Sequence, residues 1–183
     1  MSMTLQFSLD ETDYLNYQLF TASKSRNIIK KRQRNRFLLP VFFIVLGLFP
    51  RFDLTERFAQ IYILIALLWL LLYPLWEKKM YINHFKKHIT EHHKNNFGRT
   101  STLEFEERAI IAKDENSESK ISFNEFEQID EVPSAIYIKL KSGQSIILPK
   151  KSANNIDEIK VFLRNLSNDI KIKYIDDNEW KWK

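Results

Sequence analysis

The hydrophobic pattern is dominated by one uncharged run at residues 58–76, FAQIYILIALLWLLLYPLW. A helix rises ~1.5 Å per residue, so a run of this length nearly crosses the ~30 Å hydrocarbon layer of a bilayer. Tyr62 near one end, and Tyr73 and Trp76 near the other, combine an apolar body with a polar tip, as interfacial residues do. The run therefore predicts a transmembrane helix.

A shorter apolar run, FLLPVFFIVLGLFP, precedes it at residues 37–50. Runs of this length are more often buried core helices than membrane spans. Arg36 and Arg51 flank this run, however, and arginine can extend its charge to the membrane surface along its aliphatic stem. A polar connection at residues 51–57 then leads to the longer run.

Together the two runs predict a transmembrane helical hairpin at residues 37–76, with spans at about 37–52 and 58–76. The alternative is a soluble hairpin inside a globular domain, in which the few remaining apolar residues would have to cover two helices that are apolar on all sides. A cleaved signal peptide is a weaker alternative, because no small-residue cleavage site follows the first run.

The segments on either side of the hairpin have soluble patterns. Residues 3–9 alternate between apolar and polar, which predicts a strand, and acidic residues then supply capping chemistry for a helix from about Thr12 into a basic block. Residues 1–36 are thus predicted as a strand and a basic amphipathic helix, and residues 77–98 as a juxtamembrane helix.

Residues 99–183 carry short alternating segments bounded by turn residues, which predict a β domain. Strands are predicted at residues 102–105, 109–112, 119–123, 135–140 and 144–148. Asn154 or Asn155 can cap a helix to about Leu166, and the alternation after it predicts a last strand or a disordered tail. The predicted fold class is an α+β membrane protein with a two-helix transmembrane hairpin. Its cytoplasmic antiparallel β domain is capped by a C-terminal helix, the outline of a pleckstrin-homology-like module.

Positive charge is concentrated just before the first predicted span, in a chain of net charge +5. The basic cluster contains no acidic residue and consists of Lys24, Arg26, Lys30, Lys31, Arg32, Arg34 and Arg36. Such a cluster holds its end of a span in the cytoplasm, and lysines also follow the second span. A multi-pass membrane protein is predicted, with both termini cytoplasmic. Attraction to anionic lipid headgroups, at about 1 kcal/mol per basic residue, is the alternative role of the cluster.

The β domain offers a second group of cations. Lys139, Lys141, Lys150 and Lys151 are candidates for a rim that binds a phosphate or a phosphate-bearing lipid. Acidic residues lie close to them in sequence, at Glu125, Glu127, Asp130 and Glu131. Ordinary solvation of strands and loops is therefore the favoured interpretation.

All four histidines follow the second span, and His84, His88 and His92 repeat one helical face. Two imidazoles four residues apart can share a metal ion, and imidazole titrates near neutral pH. Neighbouring lysines make this helix a poor cation site, and no HExxH motif is present. A solvated helix is predicted, with no metal site.

The composition removes several classes of chemistry. Without a cysteine, the chain has no disulfide, thiolate metal site or cysteine nucleophile. Its three glycines, Gly47, Gly98 and Gly143, are too scattered for a Walker-type or dinucleotide-binding loop. No spacing of a nucleophile with its base or of paired carboxylates indicates catalysis. Neither enzyme activity nor a cofactor is predicted.

Four features follow one another along the chain: FSLDETDYLNYQLFTASKS, the two apolar runs, SFNEFEQIDEVPSAIYIKL and IILPKKSA. In this order they resemble the bacterial YcxB-like proteins, which are proteins of the bacterial inner membrane. Phe123 stands where the family commonly has tryptophan, and the Pro149 and Lys150 pair matches. The resemblance implies a two-span membrane protein with a small cytoplasmic C-terminal domain, and it implies no activity or catalytic residue.

The predicted function is that of a non-enzymatic integral membrane protein that presents a cytoplasmic binding or regulatory domain. Its predicted partners are the lipid bilayer and either another protein or further copies in a homo-oligomer. Nucleic acid is not a predicted partner, because no recognition motif accompanies the basic cluster. The alternatives are a small transport or channel subunit, although neither apolar run, at residues 37–50 and 58–76, carries a charged residue, and a membrane immunity or stress-response protein.

Overall fold

The computed structural model describes residues 3–48, 56–114, 117–152 and 156–182. Its α-helices are α1 (Glu11–Lys24), α2 (Arg26–Leu48), α3 (Glu56–His93) and α4 (Ile156–Asp169). Its strands are β1 (Met3–Ser8), β2 (Thr100–Phe105), β3 (Ala109–Lys113), β4 (Glu118–Ser122), β5 (Phe126–Glu131), β6 (Ala135–Leu140), β7 (Ser145–Pro149) and β8 (Lys173–Asp176). The chain divides into a β unit, residues 1–17 and 88–181, and a helical unit, residues 18–87 and 182–183.

The β unit contains two sheets of four strands within its described residues. The first sheet has the order β1-β2-β3-β4 and is antiparallel throughout. The second has the order β7-β6-β5-β8, in which β5 pairs antiparallel with β6 and parallel with β8. The predicted antiparallel domain is corrected in this respect, because the chain crosses over through α4 before β8 and so returns beside β5 in the parallel sense. The fold is mixed helix and sheet, as predicted.

The first sheet joins a strand that precedes the long helices to one that follows them. β1 pairs with β2 over its whole length, from Met3 opposite Phe105 to Ser8 opposite Thr100. Beyond the pair, the Gly98 N–H donates to the Leu9 carbonyl at 3.0 Å. Gly98 has a φ of +72°, a conformation that is open to glycine at little cost. The chain therefore leaves the sheet and re-enters it at the same end of one strand pair.

The inner faces of both sheets and one face of α4 share a single hydrophobic core. On α4, Ile159, Leu163 and Leu166 recur at helical spacing and are buried. The Phe162 ring meets the Phe105 ring of β2 edge to face, with centroids 5.3 Å apart. The helix closes the core as the stripe of apolar residues in this segment predicts.

In the helical unit, α2 and α3 pack as antiparallel neighbours. A Cβ at Gly47 would lie 3.4 Å from the Ala59 carbonyl oxygen, so the two backbones approach closely there. One turn earlier in α2, the Phe43 ring stacks on the Tyr62 ring, with centroids 5.9 Å apart. Late residues of α2 thus contact early residues of α3, which is the arrangement of a helical hairpin.

One described helix is long and apolar enough to cross a membrane, at Phe58–Asn96, with a mean hydropathy of 2.1 over its most apolar 18 residues. Only 11% of that window is buried. Leu71 and Leu75 are 72% and 69% exposed. The first predicted span continues into residues 49–52, which lie outside the described residues together with most of the predicted connection, so its crossing of a membrane stays a prediction.

Several predicted elements are confirmed with shifted ends. The five predicted strands correspond to β2, β3, β4, β6 and β7 within two residues, and the last strand is present as β8. Asp10 and Asp13 cap α1 as predicted, since each side chain accepts a hydrogen bond from the other's backbone N–H. Asn154 and Asn155, the predicted caps of α4, lie outside the described residues.

Other elements differ from the predictions. β5 was not predicted, because the acidic residues of FEQIDE obscure its two buried apolar positions, Phe126 and Ile129. The helix predicted from Thr12 into the basic block is interrupted at Ser25, and the juxtamembrane helix is a continuation of α3. The predicted domain boundaries, which separate residues 1–36 from residues 99–183, stay predictions. β1 comes from the first of these segments and lies in the same sheet as β2, which comes from the second.

We expect a fragment of residues 99–183 to fold poorly, because it lacks β1 and leaves the β2 edge unpaired. Leu5 and Phe7 of β1 are buried in the core, and each contributes about 1.5–3 kcal/mol by burial. A matched fragment in which residues 1–10 are joined to residues 97–183 by a short glycine linker should unfold cooperatively in urea. Equal unfolding midpoints for the two fragments would contradict the structural role of β1.

Candidate functional site

The basic cluster lies at the end of α1 and along the first half of α2. Six of its members are exposed: Lys24, Arg26, Lys30, Lys31, Arg34 and Arg36. The seventh, Arg32, is packed within the helical unit. The structure therefore separates one arginine with a defined contact from a set of solvent-facing cations.

Arg32 forms an ion pair with Glu77, in which Nε lies 3.1 Å from Oε2. Glu77 follows directly on the second predicted span, and its side chain is only 6% exposed. Tyr73, one turn earlier in α3, donates its hydroxyl hydrogen to Glu77 Oε1 at 3.3 Å. A carboxylate removed from water needs a partner charge. The pair neutralises Glu77 and fixes the register of α2 against α3.

Two aromatic rings contact the Arg32 guanidinium. Its Cζ lies 4.7 Å from the ring centroid of Trp182 and 5.8 Å from that of Tyr81. The Trp182 and Tyr81 rings meet edge to face at 5.7 Å, and Trp182 is buried. Trp182 is therefore packed in the helical unit, and the alternative of a disordered tail does not hold at this residue. We call Arg32, Glu77, Tyr81 and Trp182 the arginine clasp.

The arginine clasp is not among the predicted sites, although the sequence carries a signal for its ion pair. Equal lengths counted outward from the middle of the predicted connection, at about residue 54, reach Arg32 on one helix and Glu77 on the other. In an antiparallel hairpin such residues face each other, and a basic residue opposite an acidic one indicates an ion pair. Trp182 carries no comparable signal, because the contact is distant in sequence.

The predicted phosphate rim consists of lysines that are mostly engaged by carboxylates. Lys139 pairs with Glu127 at 2.7 Å, and Lys150 with Glu131 at 2.9 Å. Lys151 pairs with Asp10 at 2.6 Å and with Asp13 at 2.9 Å. Lys141 is exposed in the turn between β6 and β7. An anion at this rim would have to compete with these carboxylates, and the rim stays a prediction.

Glu131, at the end of β5, is the most enclosed carboxylate of the β unit, with a side chain that is 1% exposed. Tyr174 of β8 donates its hydroxyl hydrogen to Oε2 at 2.6 Å. Lys150 donates to Oε1 at 2.9 Å, and Lys160 and Arg164 of α4 approach the carboxylate at 3.3 and 3.5 Å. The single carboxylate therefore connects β5, β8, α4 and the turn after β7.

The titration of Glu131 follows from these contacts. Burial raises its pKa, but the hydrogen bonds from Tyr174, Lys150 and Asn178 outweigh burial, so the pKa falls from 4.5 to about 2. For the Tyr174 hydroxyl, burial and the bond to Glu131 both raise the pKa. At neutral pH the Glu131 carboxylate is charged and both of its oxygens accept hydrogen bonds. This is the state of a structural ion pair.

The predicted histidine row is exposed on α3 at His84, His88 and His92. The His88 and His92 rings lie 4.5 Å apart between centroids. The described residues contain no group of three or more ligating side chains placed to hold a metal ion. His93 stacks on Tyr14 at 4.8 Å, and burial, with smaller contributions from its two neighbouring histidines, lowers its pKa.

An open cleft of about 330 Å³ lies in the β unit beside β1, β2, β3 and β7. Its apolar lining includes Phe7, Leu103 and Ile147. Serine and threonine side chains, with Lys113 and Asp114, contribute its polar lining. Lys113 is held by Glu104 at 2.9 Å. The cleft can accept an apolar group that carries neutral hydrogen-bonding atoms at its edge.

Comparison with known proteins gives one family. Residues 105–166 match the family model described as YcxB-like protein. The match confirms the predicted resemblance over about a third of the 183-residue chain, from the end of β2 into α4. It includes Glu131 and the predicted lysine rim, and it excludes β1, the long helices and the arginine clasp. No curated protein and no solved structure matches the chain.

We expect Trp182→Ala to lower the stability of the helical unit by about 3 kcal/mol, because it removes a buried ring and a cation–π contact. Thermal unfolding of the full chain in detergent micelles measures the effect. Lys181→Ala alters the adjacent, exposed residue and is the matched control. Indistinguishable midpoints for the two variants would show that the clasp contributes little.

Glu131 should make the β unit sensitive to acid. Its lowered pKa provides stability that is complete above pH 4.5 and is lost as the pH falls toward 2, by about 3 kcal/mol in total. Urea unfolding of the full chain at several pH values checks this dependence. Glu131→Gln should be less stable than the wild type at pH 7 and should lack this acid-dependent loss. The exposed substitution Glu125→Gln is the control, and the idea is wrong if it flattens the pH profile as strongly.

Proposed function

We propose that the protein is a non-enzymatic integral membrane protein of the bacterial inner membrane, and that it presents the β unit in the cytoplasm as a binding or regulatory domain. In this proposal α2 and α3 both cross the bilayer, and both termini are cytoplasmic. The partners are the bilayer and either another protein or further copies of the chain.

The exposure of the apolar residues of α3 carries the proposal. A core helix of a soluble protein is mostly buried, whereas only 11% of the most apolar window of α3 is buried. The apolar residues of α2 are exposed as well, including Leu38 and Leu48 at 61% and 69%. An apolar surface of this extent needs a cover, and a bilayer supplies one that fits the length of α3.

Strand pairing supports an even number of crossings. Because β1 pairs with β2, residues on both sides of the helices must lie on the same side of any membrane. If α3 crosses once, a second crossing is required between residues 9 and 99. α2 is the remaining described helix in that interval that ends in an exposed apolar segment, which favours it as the first span.

We also propose that the β unit is a pleckstrin-homology-like module, and its order of elements supports this. Four antiparallel strands, then three more, then a helix that closes the core are the outline of such a module. In this interpretation the helical hairpin is inserted after the first strand of the module, and β8 is an addition. The cleft beside β1 and β7 is the surface that we assign to a partner.

A cysteine-labelling experiment tests the topology without background, because the chain has no cysteine. Ser142→Cys, in the exposed turn after β6, should react with a membrane-impermeant maleimide only after the cells are permeabilised. Thr55→Cys, in the predicted connection, should react in intact cells. Labelling of both positions in intact cells, or of neither, would contradict the two-span topology.

Carbonate extraction of the same membranes is the companion measurement. The protein should stay in the membrane pellet, since its helices would be held by the hydrocarbon layer and not by charge. Release into the supernatant would overturn the proposal that the protein is integral to the membrane.

A further inference from the structure

Four lysines flank the arginine clasp at one level of the helical unit. Lys30 and Lys31 precede Arg32 in α2, and Lys78 and Lys79 follow Glu77 in α3. The ion pair at 3.1 Å sets Arg32 and Glu77 side by side. At 1.5 Å of rise per residue, each lysine lies within about 3 Å of that level along its helix. We call these four residues the lysine ring.

The lysine ring is positively charged and exposed. None of its four side chains forms a salt bridge with a carboxylate within the described residues, and all four are solvent-facing. The nearby carboxylate, Glu77, is already neutralised by Arg32. The other acidic residues of the helical unit, Asp53 and Glu56, occur at the opposite end of the hairpin in sequence. The ring thus keeps its full charge in need of counterions.

The ring borders directly on the exposed apolar surface. Trp76, adjacent to Glu77, is 57% exposed, and Phe37, five residues after Arg32, is 51% exposed. An exposed tryptophan at the end of an apolar helix is typical of the headgroup level of a bilayer. Lysine side chains that follow such a tryptophan place their ammonium groups among lipid phosphates.

We propose that the lysine ring binds the headgroups of anionic phospholipids, and that Arg32 is not part of this site because the clasp holds it. The proposal rests on the membrane location proposed above and names the lipid class. The ring holds anionic lipid in the first shell around α2 and α3, and this is separate from any effect of the basic cluster on topology.

The test uses the purified full chain in phosphatidylcholine vesicles with a spin-labelled phosphatidylglycerol or phosphatidylcholine probe. The fraction of each probe that is motionally restricted gives the preference for the anionic lipid. The wild type should prefer phosphatidylglycerol by about fivefold or more, as one basic residue near the surface supplies about that factor. Molar salt should reduce the preference, because the screening length falls to about 3 Å.

The decisive variant is Lys30→Gln, Lys31→Gln, Lys78→Gln and Lys79→Gln combined, which should lower the preference severalfold, with the exposed Arg34 and Arg36 accounting for what remains. The same four positions changed to arginine should retain it. Lys94, Lys171, Lys173 and Lys181, all exposed in the β unit, are changed to glutamine as the charge-matched control and should also retain it. The other members of the basic cluster are kept in every variant so that the signal for topology remains.

An undiminished preference in the glutamine variant, or an equal loss in the β-unit control, would overturn the proposed lipid site. So would a wild type with no preference for the anionic probe. Circular dichroism and the thermal midpoint of each variant establish that it is folded before its lipid contacts are compared. Failure of the membrane location would be recognised separately, because the wild type would then be released by carbonate.

Discussion

The pairing of β1 with β2 constrains the rest of the structure. These two strands are separated in sequence by every residue of the helical hairpin, yet they are joined residue by residue from Met3 opposite Phe105 to Ser8 opposite Thr100. Closing so long a loop costs entropy, although the cost grows only with the logarithm of its length. The antiparallel contact of α2 with α3 returns the chain toward its starting point and so offsets part of that cost. The hairpin therefore lowers the entropic cost of pairing β1 with β2, a cost that a short linker would lower as well.

In each unit a buried carboxylate is paired with cations from elements that are distant in sequence. Glu77 joins α3 to α2 through Arg32, and Glu131 joins β5 to α4 and β8 through Lys160, Arg164 and Tyr174. Such pairs add little stability compared with well-packed apolar residues, but breaking one by removing a partner is costly. Their main effect is on specificity, because only one register of the elements satisfies the charge. Three of the four lysines that are candidates for a phosphate rim in the β unit are likewise paired with carboxylates.

The elements with strong periodicity could be predicted from the sequence, and those defined by long-range partners could not. The strand at residues 135–140 matches β6 at both ends, because its isoleucines and tyrosine favour a strand and a glycine turn follows it. β5 escaped prediction because Asp130 and Glu131 are polar yet buried, which reverses the usual relation between polarity and exposure. The pairing of β1 with β2 in the first sheet was not predicted either, because local patterns do not indicate which strands pair with each other. Among the seven basic residues, Arg32 is marked in the sequence only by its position opposite Glu77 in the predicted hairpin, and its contact with Trp182 is too distant in sequence to be predicted.

The separation of Arg32 from its neighbours changes how the basic cluster should be understood. A topology signal requires only that positive charges lie near one end of a span, and it does not depend on which positions they occupy. The clasp, in contrast, requires arginine at one position, since a planar guanidinium can pair with Glu77 while it contacts the rings of Trp182 and Tyr81. Because Arg32 neutralises Glu77 inside the hairpin, that carboxylate does not compete for the lysines beside it. In the proposed lipid site these lysines are then available to the headgroups, so the ion pair that joins α2 to α3 also determines the charge at their surface.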